Sequence, residues 1–156
     1  MKANPSRPRW QALAQALLPE LHERFGAEET WKGGGAMPFF FELLAATRQA
    51  HLAGDEAFLL RAYAFAHWCM AQSDRELWNS AGVGFFEHLF DGLPPDSVVP
   101  WIGSDAFHDI VPLIEARLGS ERARKIRKRF EARKETLERN YASVIERAQH
   151  EIGRAS

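Results

Sequence analysis

Residues 54–76, GDEAFLLRAYAFAHWCMAQSDRE, decide the fold class of this chain. Apolar side chains recur there every three or four residues, which is the period of a helix face and not of a strand. Gly54-Asp55 precedes the run, and Ser73-Asp74-Arg75-Glu76 after it has the form of a capping box, in which Ser73 begins a further helix. The apolar positions are Phe58, Leu59, Ala62, Phe65, Ala66 and Cys69. The stretch therefore predicts a buried helix followed directly by another helix.

Helical periodicity continues on both sides of this stretch, and strand-like alternation is almost absent. Pro19 interrupts the N-terminal helical pattern, and a second helix is predicted from Pro38 to about Ala53. The helix after the capping box is expected to reach Phe90. Gly82 and Gly84 lie inside it, where they cost helix stability and indicate close approach of another backbone. The pattern predicts an all-α fold, a compact multi-helix bundle.

Composition places the 156-residue chain among ordinary globular proteins, with 46% hydrophobic and 26% charged residues. Its single cysteine, Cys69, excludes an intramolecular disulfide and a zinc site built from several cysteines. No signal peptide is visible, and the apolar stretches are far shorter than the roughly 20 residues of a membrane span. We therefore expect a soluble, cytoplasmic protein that does not contact a membrane.

Charge divides the chain into two segments. Residues 1–119 contain 9 lysines and arginines against 15 aspartates and glutamates, a net charge of −6. Residues 120–156 contain 11 against 6, a net charge of +5. We interpret residues 1–119 as an acidic helical-bundle domain. We interpret residues 120–156 as a long basic amphipathic helix that docks on the bundle or mediates association.

The C-terminal segment is predicted to be one continuous helix, because no proline or glycine interrupts it from Ser120 to about Ile152. A narrow apolar stripe with coiled-coil-like spacing runs along it. The stripe consists of Ala123, Ile126, Phe130, Leu137, Tyr141, Val144 and Ala148. We expect Ile126, Phe130, Leu137, Tyr141 and Val144 to mediate docking or dimerisation.

Eight basic side chains surround the first half of that stripe. They are Arg122, Arg124, Lys125, Arg127, Lys128, Arg129, Arg133 and Lys134. One interpretation is that they contact phosphate groups or an acidic partner protein. The other is that they form ion pairs with acidic residues of residues 1–119, the body of this chain. Few aromatic residues lie among them to stack on bases, which disfavours a nucleic acid as the partner.

The aromatic residues form a second candidate surface. Three consecutive phenylalanines, Phe39-Phe40-Phe41, cannot all point inward on one helix, so at least one must meet another segment or a partner. Together with the tryptophans they exceed what one core face can absorb. The predicted interaction residues of this set are Trp31, Phe39, Trp78 and Trp101.

Catalytic constellations are weak in this sequence. Asp105, His108 and Asp109 would share a helix face, either as metal ligands or as first-turn residues meeting the helix dipole. Glu87 and His88 are adjacent, but no nucleophile stands at a telling distance from them. Whether either group forms a site stays open. No nucleophile elbow or nucleotide-binding loop is present, and we predict no catalytic residue, metal or cofactor.

Three aromatic stretches resemble a family of small helical bacterial domains of unknown function. They are Tyr63–Cys69 (YAFAHWC), Val83–Asp91 (VGFFEHLFD) and Val99–Trp101 (VPW). The resemblance covers roughly residues 8–119 and leaves out the basic helix. It implies an all-α fold in a bacterial cytoplasmic setting and supplies no catalytic residues. Small helical domains of this style often act as immunity or antitoxin partners, which is an analogy at the level of fold.

These observations favour a non-enzymatic protein-protein interaction module, of an immunity- or antitoxin-like kind or a subunit of a defence complex. The expected partner is another protein, or a second copy of this chain in a homodimer. A nucleic-acid-associated module that uses the basic helix is the first alternative. A small helical metal-dependent hydrolase is the second.

Overall fold

The structure is a computed structural model that describes residues 10–21, 36–134, 136 and 139–155, and within these residues it contains helices and no strand. The α-helices are α1 (Trp10–Leu17), α2 (Met37–Ala53), α3 (Glu56–Met70), α4 (Arg75–Gly84), α5 (Pro95–Val98), α6 (Ser104–Leu118), α7 (Ser120–Ala132) and α8 (Arg139–Ala155). Two 3-10 turns, Phe86–His88 and Val99–Trp101, join them, and residues 19–21 form a short helical turn after Leu18. The predicted all-α bundle is confirmed.

Helix α3 lies at the centre and packs against α1, α2, α4 and α8. A helix that is apolar on nearly all sides must be covered on all sides, and α3 has this composition. Its N-terminus is capped as the sequence suggests, because the Asp55 carboxylate accepts a hydrogen bond from the Phe58 amide at 3.1 Å. Tyr63 and Ala64 are also fully buried, so the covered surface is wider than the predicted face.

Helix α4 differs from the prediction at both ends. Its N-cap is Asp74 and not Ser73, and the Asp74 carboxylate accepts from the Leu77 amide at 3.3 Å. The helix ends at Gly84 and does not reach Phe90. Successive side chains on a helix point about 100° apart. Leaving helical geometry at Phe85 lets Phe85 and Phe86 both lie in the core, each fully buried.

The close approach of another backbone that was expected at the glycines of α4 is present at Gly84. A Cβ atom there would lie 2.8 Å from the Met37 sulfur, 3.2 Å from Phe40 Cβ and 3.8 Å from the Met37 carbonyl oxygen, so α2 packs closely against this glycine. At Gly82 the neighbouring atoms belong to side chains, because an added Cβ atom would lie 3.2 Å from Leu113 Cδ1 of α6 and 3.6 Å from the Met70 sulfur. The expected backbone approach is therefore found at one of the two glycines.

The prediction of one long basic C-terminal helix is wrong. Helix α7 ends at Ala132, Arg133 has extended backbone (φ −63°, ψ 137°), and α8 begins at Arg139. Helix α7 packs on α5, α6 and the second 3-10 turn, whereas α8 packs on α1 and α3. The two halves of the apolar stripe thus cover different parts of the body.

Burial explains the break. A straight helix presents one face in one direction, and it cannot lay both halves of its stripe on the curved surface of a bundle. Breaking the helix buries Tyr141, Ile145 and Ala148 of α8. Each large apolar side chain contributes about 1.5–3 kcal/mol when fully buried, which offsets the few backbone hydrogen bonds lost at the break. Val144, which was predicted as part of the apolar stripe, is only half-buried, whereas its neighbour Ile145 is buried.

Candidate interaction surface

Helix α7 is held by its apolar face. Gly119, with a φ of 92°, turns the chain from α6 into α7, and this left-handed backbone favours glycine. Ala123 and Ile126 are buried against the body. Phe130 stacks on Phe107 of α6, with ring centroids 3.8 Å apart and an interplanar angle of 4°. These contacts fix which side of α7 faces outward.

Arg133 covers the outer side of that stack. Its guanidinium lies 3.6 Å from the centre of the Phe130 ring, and its Nη1 donates to the Phe130 carbonyl at 3.2 Å. A cation over an aromatic face is attracted by the ring quadrupole. Arg133 therefore closes the end of α7 and is half-buried.

Three other cations of the predicted set have contacts within the chain. Arg122 Nη2 donates to the Phe90 carbonyl at 3.4 Å. Arg129 lies 3.5 Å from Asp96, and Lys125 lies 3.9 Å from Glu121, one turn away on the same helix. Both ion pairs are highly exposed, and such pairs contribute little to stability. Within the described residues, the body therefore pairs with only part of the positive charge of α7.

Four cations remain exposed, and within the residues that the structure describes they make no hydrogen bond or ion pair. They are Arg124, Arg127, Lys128 and Lys134, which we call the basic face. Arg124 and Lys128 are four residues apart, so they lie one above the other on the helix. Like charges held together without partners repel each other, and an anion from outside the chain would relieve this repulsion.

The predicted aromatic residues occupy different environments. Phe39 is buried between Trp10 and Phe65, and Phe40 is buried beside it, whereas Phe41 is 52% exposed. As expected, the three consecutive phenylalanines cannot all be buried, and Phe41 is the exposed one. Trp101 is buried and stacked on Tyr63, with centroids 5.5 Å apart. Trp78 is 40% exposed. Trp31 and Leu137 lie outside the described residues.

The other predicted residues of the apolar stripe lie against this chain's own body. Ile126 is fully buried, and Phe130 and Val144 are half-buried. Tyr141 is buried, and its hydroxyl donates to the Trp101 carbonyl. These residues join the same apolar core as α1, α2 and α3. They present little surface for a second copy of the chain.

Around Tyr63 lies a buried polar network, the aromatic centre, formed by Tyr63, His67, Phe85, Trp101 and Tyr141. The Gly103 amide donates to His67 Nε2 at 2.9 Å, so Nδ1 carries the proton and donates to the Tyr63 carbonyl at 2.6 Å. Burial lowers the pKa of His67 to about 4 and raises the pKa of the Tyr63 hydroxyl well above its usual value. Both imidazole nitrogens are satisfied, so His67 is held neutral in a structural role.

His51 lies beside the aromatic centre and is half-buried. Its Nε2 atom lies 2.8 Å from the Tyr63 hydroxyl. Burial lowers the pKa of His51. Spacing along the chain does not indicate the aromatic centre or its contact with His51, because the residues involved lie on α2, α3, the end of α4, the second 3-10 turn and α8. Only packing brings them together.

Glu87 and His88 belong to an ion-pair cluster on the first 3-10 turn. His88 Nδ1 lies 3.2 Å from Asp91 Oδ2, and Nε2 lies 3.9 Å from Glu87 Oε2. Arg117 of α6 grips the Asp91 carboxylate through Nε and Nη2, at 3.0 and 2.5 Å from Oδ2. The hydrogen bond from Arg117, with a smaller one from His88, lowers the pKa of Asp91.

This cluster fastens the turn to the bundle. Arg48 of α2 supports it from the other side by donating to the His88 carbonyl at 2.9 Å. No serine or cysteine nucleophile contacts His88 within the described part of the chain. The arrangement is that of a structural ion-pair network, in which Asp91 and Arg117 are 26 residues apart in sequence.

Asp105, His108 and Asp109 are exposed on the first turns of α6. Across residues 10–21, 36–134 and 139–155, no three histidine, cysteine, aspartate or glutamate side chains are placed to hold a metal ion. Asp105 lies in the first turn, where a negative charge meets the positive end of the helix dipole. Over the same residues, no helix has the length and apolar character needed to cross a bilayer.

Comparison with protein families assigns the chain to one of them. It belongs to the family described as Domain of unknown function (DUF7674), whose model matches residues 11–105. This confirms the resemblance to an uncharacterised family of small helical domains. The match ends before α7, so the basic face lies outside the shared domain. Searches of curated proteins and of solved structures found no match.

Proposed function

We propose that this chain is a non-enzymatic interaction module whose basic face binds an acidic surface of another protein. The observation that carries the proposal is the set of four exposed cations, Arg124, Arg127, Lys128 and Lys134, without partners among the described residues. An immunity- or antitoxin-like protein, or a subunit of a defence complex, would use such a surface.

A partner outside the chain is favoured over the chain's own body. Had α7 served only to dock, its cations would face the acidic residues of residues 1–119. Among the described residues of that segment, Asp96 alone contributes a carboxylate to them, at 3.5 Å from Arg129. The apolar face of α7 supplies the docking, through Ile126 and the Phe107–Phe130 stack. The positive charge is therefore left over for another function.

A protein partner is favoured over a nucleic acid for two reasons. Residues 1–119 have a net charge of −6, which opposes the approach of a long polyanion to the neighbouring α7. Among the described residues of α7, no aromatic ring is exposed for base stacking, since Phe130 lies under Arg133. A compact acidic protein surface can contact the face of a helix about 20 Å long without crossing the acidic body.

Charge reversal tests the proposal. The variant R124E/R127E/K128E reverses three of the four charges of the basic face, and R75E/R147E/R154E makes the same charge change at exposed arginines elsewhere. Proteins bound by the wild-type chain are identified by affinity purification. Their affinities for all three purified chains are then measured at about 50 and about 300 mM salt.

We expect an acidic partner whose affinity falls at least about tenfold in the α7 variant and less than about twofold in the control. Equal losses in both variants, or none in either, would overturn the proposal. Duplex and single-stranded DNA are titrated in parallel. Binding of DNA that the α7 variant loses, together with no acidic protein partner, would establish the nucleic-acid function instead.

The alternatives have less support. A homodimer through the apolar stripe would require Ile126 and Tyr141 to leave the core of their own chain. A metal-dependent hydrolase would require converging ligands, which are absent from the part of the chain that the structure describes.

A further inference from the structure

A cleft of about 430 Å³ opens between α4 and α6, next to the end of α3. Its lining includes Met70, Gln72, Trp78, Asp109 and Leu113. Cavities of roughly 300–1,000 Å³ with an apolar lining and a few polar groups are the usual size of small-molecule sites. The cleft is separate from the basic face, and it lies in a part of the fold that the proposed function does not use.

The apolar wall of the cleft is firmly positioned. Leu113 of α6 contacts α4 at Gly82, where an added Cβ atom would lie 3.2 Å from Leu113 Cδ1 and 3.6 Å from the Met70 sulfur. The Met70 and Leu113 side chains therefore pack against α4 at Gly82. A ligand would meet an apolar wall whose side chains are already packed, which lowers the ordering cost of binding.

Trp78 borders the cleft with its indole unused. The side chain is 40% exposed, and within the described residues it stacks on no other ring and makes no side-chain hydrogen bond. A tryptophan buried for packing alone is covered by neighbouring side chains, as Trp101 is by Tyr63. An indole face open to a cleft is the strongest aromatic surface for a cation.

Asp109 is the charged group among the described residues that line the cleft, and Gln72, Asn79 and the Trp78 indole N–H are neutral polar groups there. Asp109 is exposed, and across the described residues its carboxylate has no hydrogen-bond or ion-pair partner. The Gln72 side-chain nitrogen already donates to the Trp68 carbonyl at 2.8 Å, which leaves its carbonyl oxygen as an acceptor. No lysine, arginine or histidine is among those described lining residues. Asp109 therefore gives the lining a negative charge that none of them compensates.

A second cleft of about 390 Å³ shows the contrast. It also contains two carboxylates, but Glu20 is held by Arg61 at 2.8 Å and Asp55 caps α3 through the Phe58 amide. Both acidic groups there already have partners in the fold. The combination of a free carboxylate and an unused indole is found in the first cleft and not in the second.

We propose that the cleft between α4 and α6 binds a small organic cation, an ammonium ion attached to an aromatic or branched apolar group. The apolar part contacts Met70 and Leu113, and the ammonium ion lies between the Trp78 indole and the Asp109 carboxylate. The Gln72 carbonyl accepts a further hydrogen bond from an N–H group of the cation.

The test uses 2-phenylethylammonium as the cation and 2-phenylethanol as its neutral counterpart, titrated into the full chain. Binding is followed at the Trp78 indole N–H by heteronuclear NMR, with the signal assigned by its loss in Trp78→Phe. Asp109→Asn removes the charge at nearly constant shape. Asp105→Asn, on the same helix and outside the cleft lining, is the matched control.

We expect the cation to shift the Trp78 signal with saturation, and the alcohol to bind at least about fivefold more weakly. Asp109→Asn should weaken the cation about fivefold and leave the alcohol unchanged, whereas Asp105→Asn should change neither by more than about twofold. Circular dichroism checks that each variant is folded. No shift up to about 10 mM cation, or equal binding of cation and alcohol, would overturn the proposal. Unchanged cation binding in Asp109→Asn would overturn it as well.

Discussion

The aromatic centre and the basic face treat their polar groups in opposite ways. In the aromatic centre, both nitrogens of His67 are hydrogen-bonded, and the Tyr63 hydroxyl reaches His51 at 2.8 Å. On the basic face, Arg124 and Lys128 meet water. A buried polar group without a partner costs on the order of 1–3 kcal/mol, so the interior must satisfy its own groups. An exposed cation stays hydrated, so it costs almost no free energy when it has no protein partner. Exposed cations can therefore remain available for binding.

The largest effect on the free energy of unfolding is expected for Tyr63→Ala, in the aromatic centre. Tyr63 is fully buried and contacts the rings of Phe85 and Trp101. Removing it should lower the free energy of unfolding by about 4 kcal/mol, measured by urea denaturation. Phe41→Ala is the matched control, because Phe41 is 52% exposed, and its cost should stay below about 1 kcal/mol. Similar losses in the two variants would show that the centre is not where stability is concentrated.

Acid should weaken the aromatic centre through His67. Its folded pKa is about 4 against 6.5 for a fully solvated histidine, so the unfolded chain binds a proton that the folded chain excludes. Stability is therefore full above about pH 6.5 and is lost as the pH falls towards 4, by up to roughly 3 kcal/mol. Urea denaturation between about pH 7.5 and 5 measures the slope.

The matched controls for this pH dependence are His67→Gln and His108→Gln. The first should reduce the slope of the profile, because it removes the proton-binding group of the centre and leaves His51, whose pKa burial also lowers. The second should leave it unchanged, because His108 is exposed on α6. A profile of equal slope in wild type and His67→Gln would contradict the assignment to His67.

A smaller effect is expected at the contact between α2 and α4. Gly84→Ala places a Cβ atom 2.8 Å from the Met37 sulfur and 3.2 Å from Phe40 Cβ, and should cost about 2 kcal/mol by overpacking. Gly153→Ala is the control, because an added Cβ atom there meets nothing within 4 Å. In a helix that change should stabilise by up to about 1 kcal/mol. Opposite signs in the two variants are the diagnostic result.

The smallest effect should come from the basic face. R124E/R127E/K128E should change the free energy of unfolding by less than about 1 kcal/mol, because exposed charges without partners contribute little to stability. The same variant is expected to lose partner binding, so stability and binding would separate. A large loss of stability would mean that these cations hold the fold, against the proposed function.

The helices themselves were largely readable from sequence. Local signals predicted the helical period of α3, and Asp55 caps that helix in the structure. They also predicted the start of α2 at Pro38, and α2 begins one residue earlier, at Met37. Close approach of another backbone at Gly84 was also readable, because glycine inside a helix leaves space for a neighbouring element, whereas Gly82 meets only side chains. The start of α4 was misplaced by one residue, since Ser73 and Asp74 are both good caps.

The candidate site was readable only as a set of cations. The sequence identified the eight basic residues but not which of them would remain exposed without partners. That distinction depends on where Asp96, Phe90 and Phe130 lie, and none of them is signalled by spacing along α7. The pairing of Asp91 with Arg117, the aromatic centre and the cleft beside Trp78 likewise join residues from separate helices.

By itself, the sequence determined that this chain is helical, that α3 has an apolar face and that positive charge gathers after Gly119. Those properties follow from hydrogen bonds and side-chain contacts within a few residues. Tertiary structure alone decided that the C-terminal helix breaks between Ala132 and Arg139, because two halves of one stripe are buried on different parts of the body. It also decided which cations are left free, since the distance between charges depends on packing and not on their order along the chain.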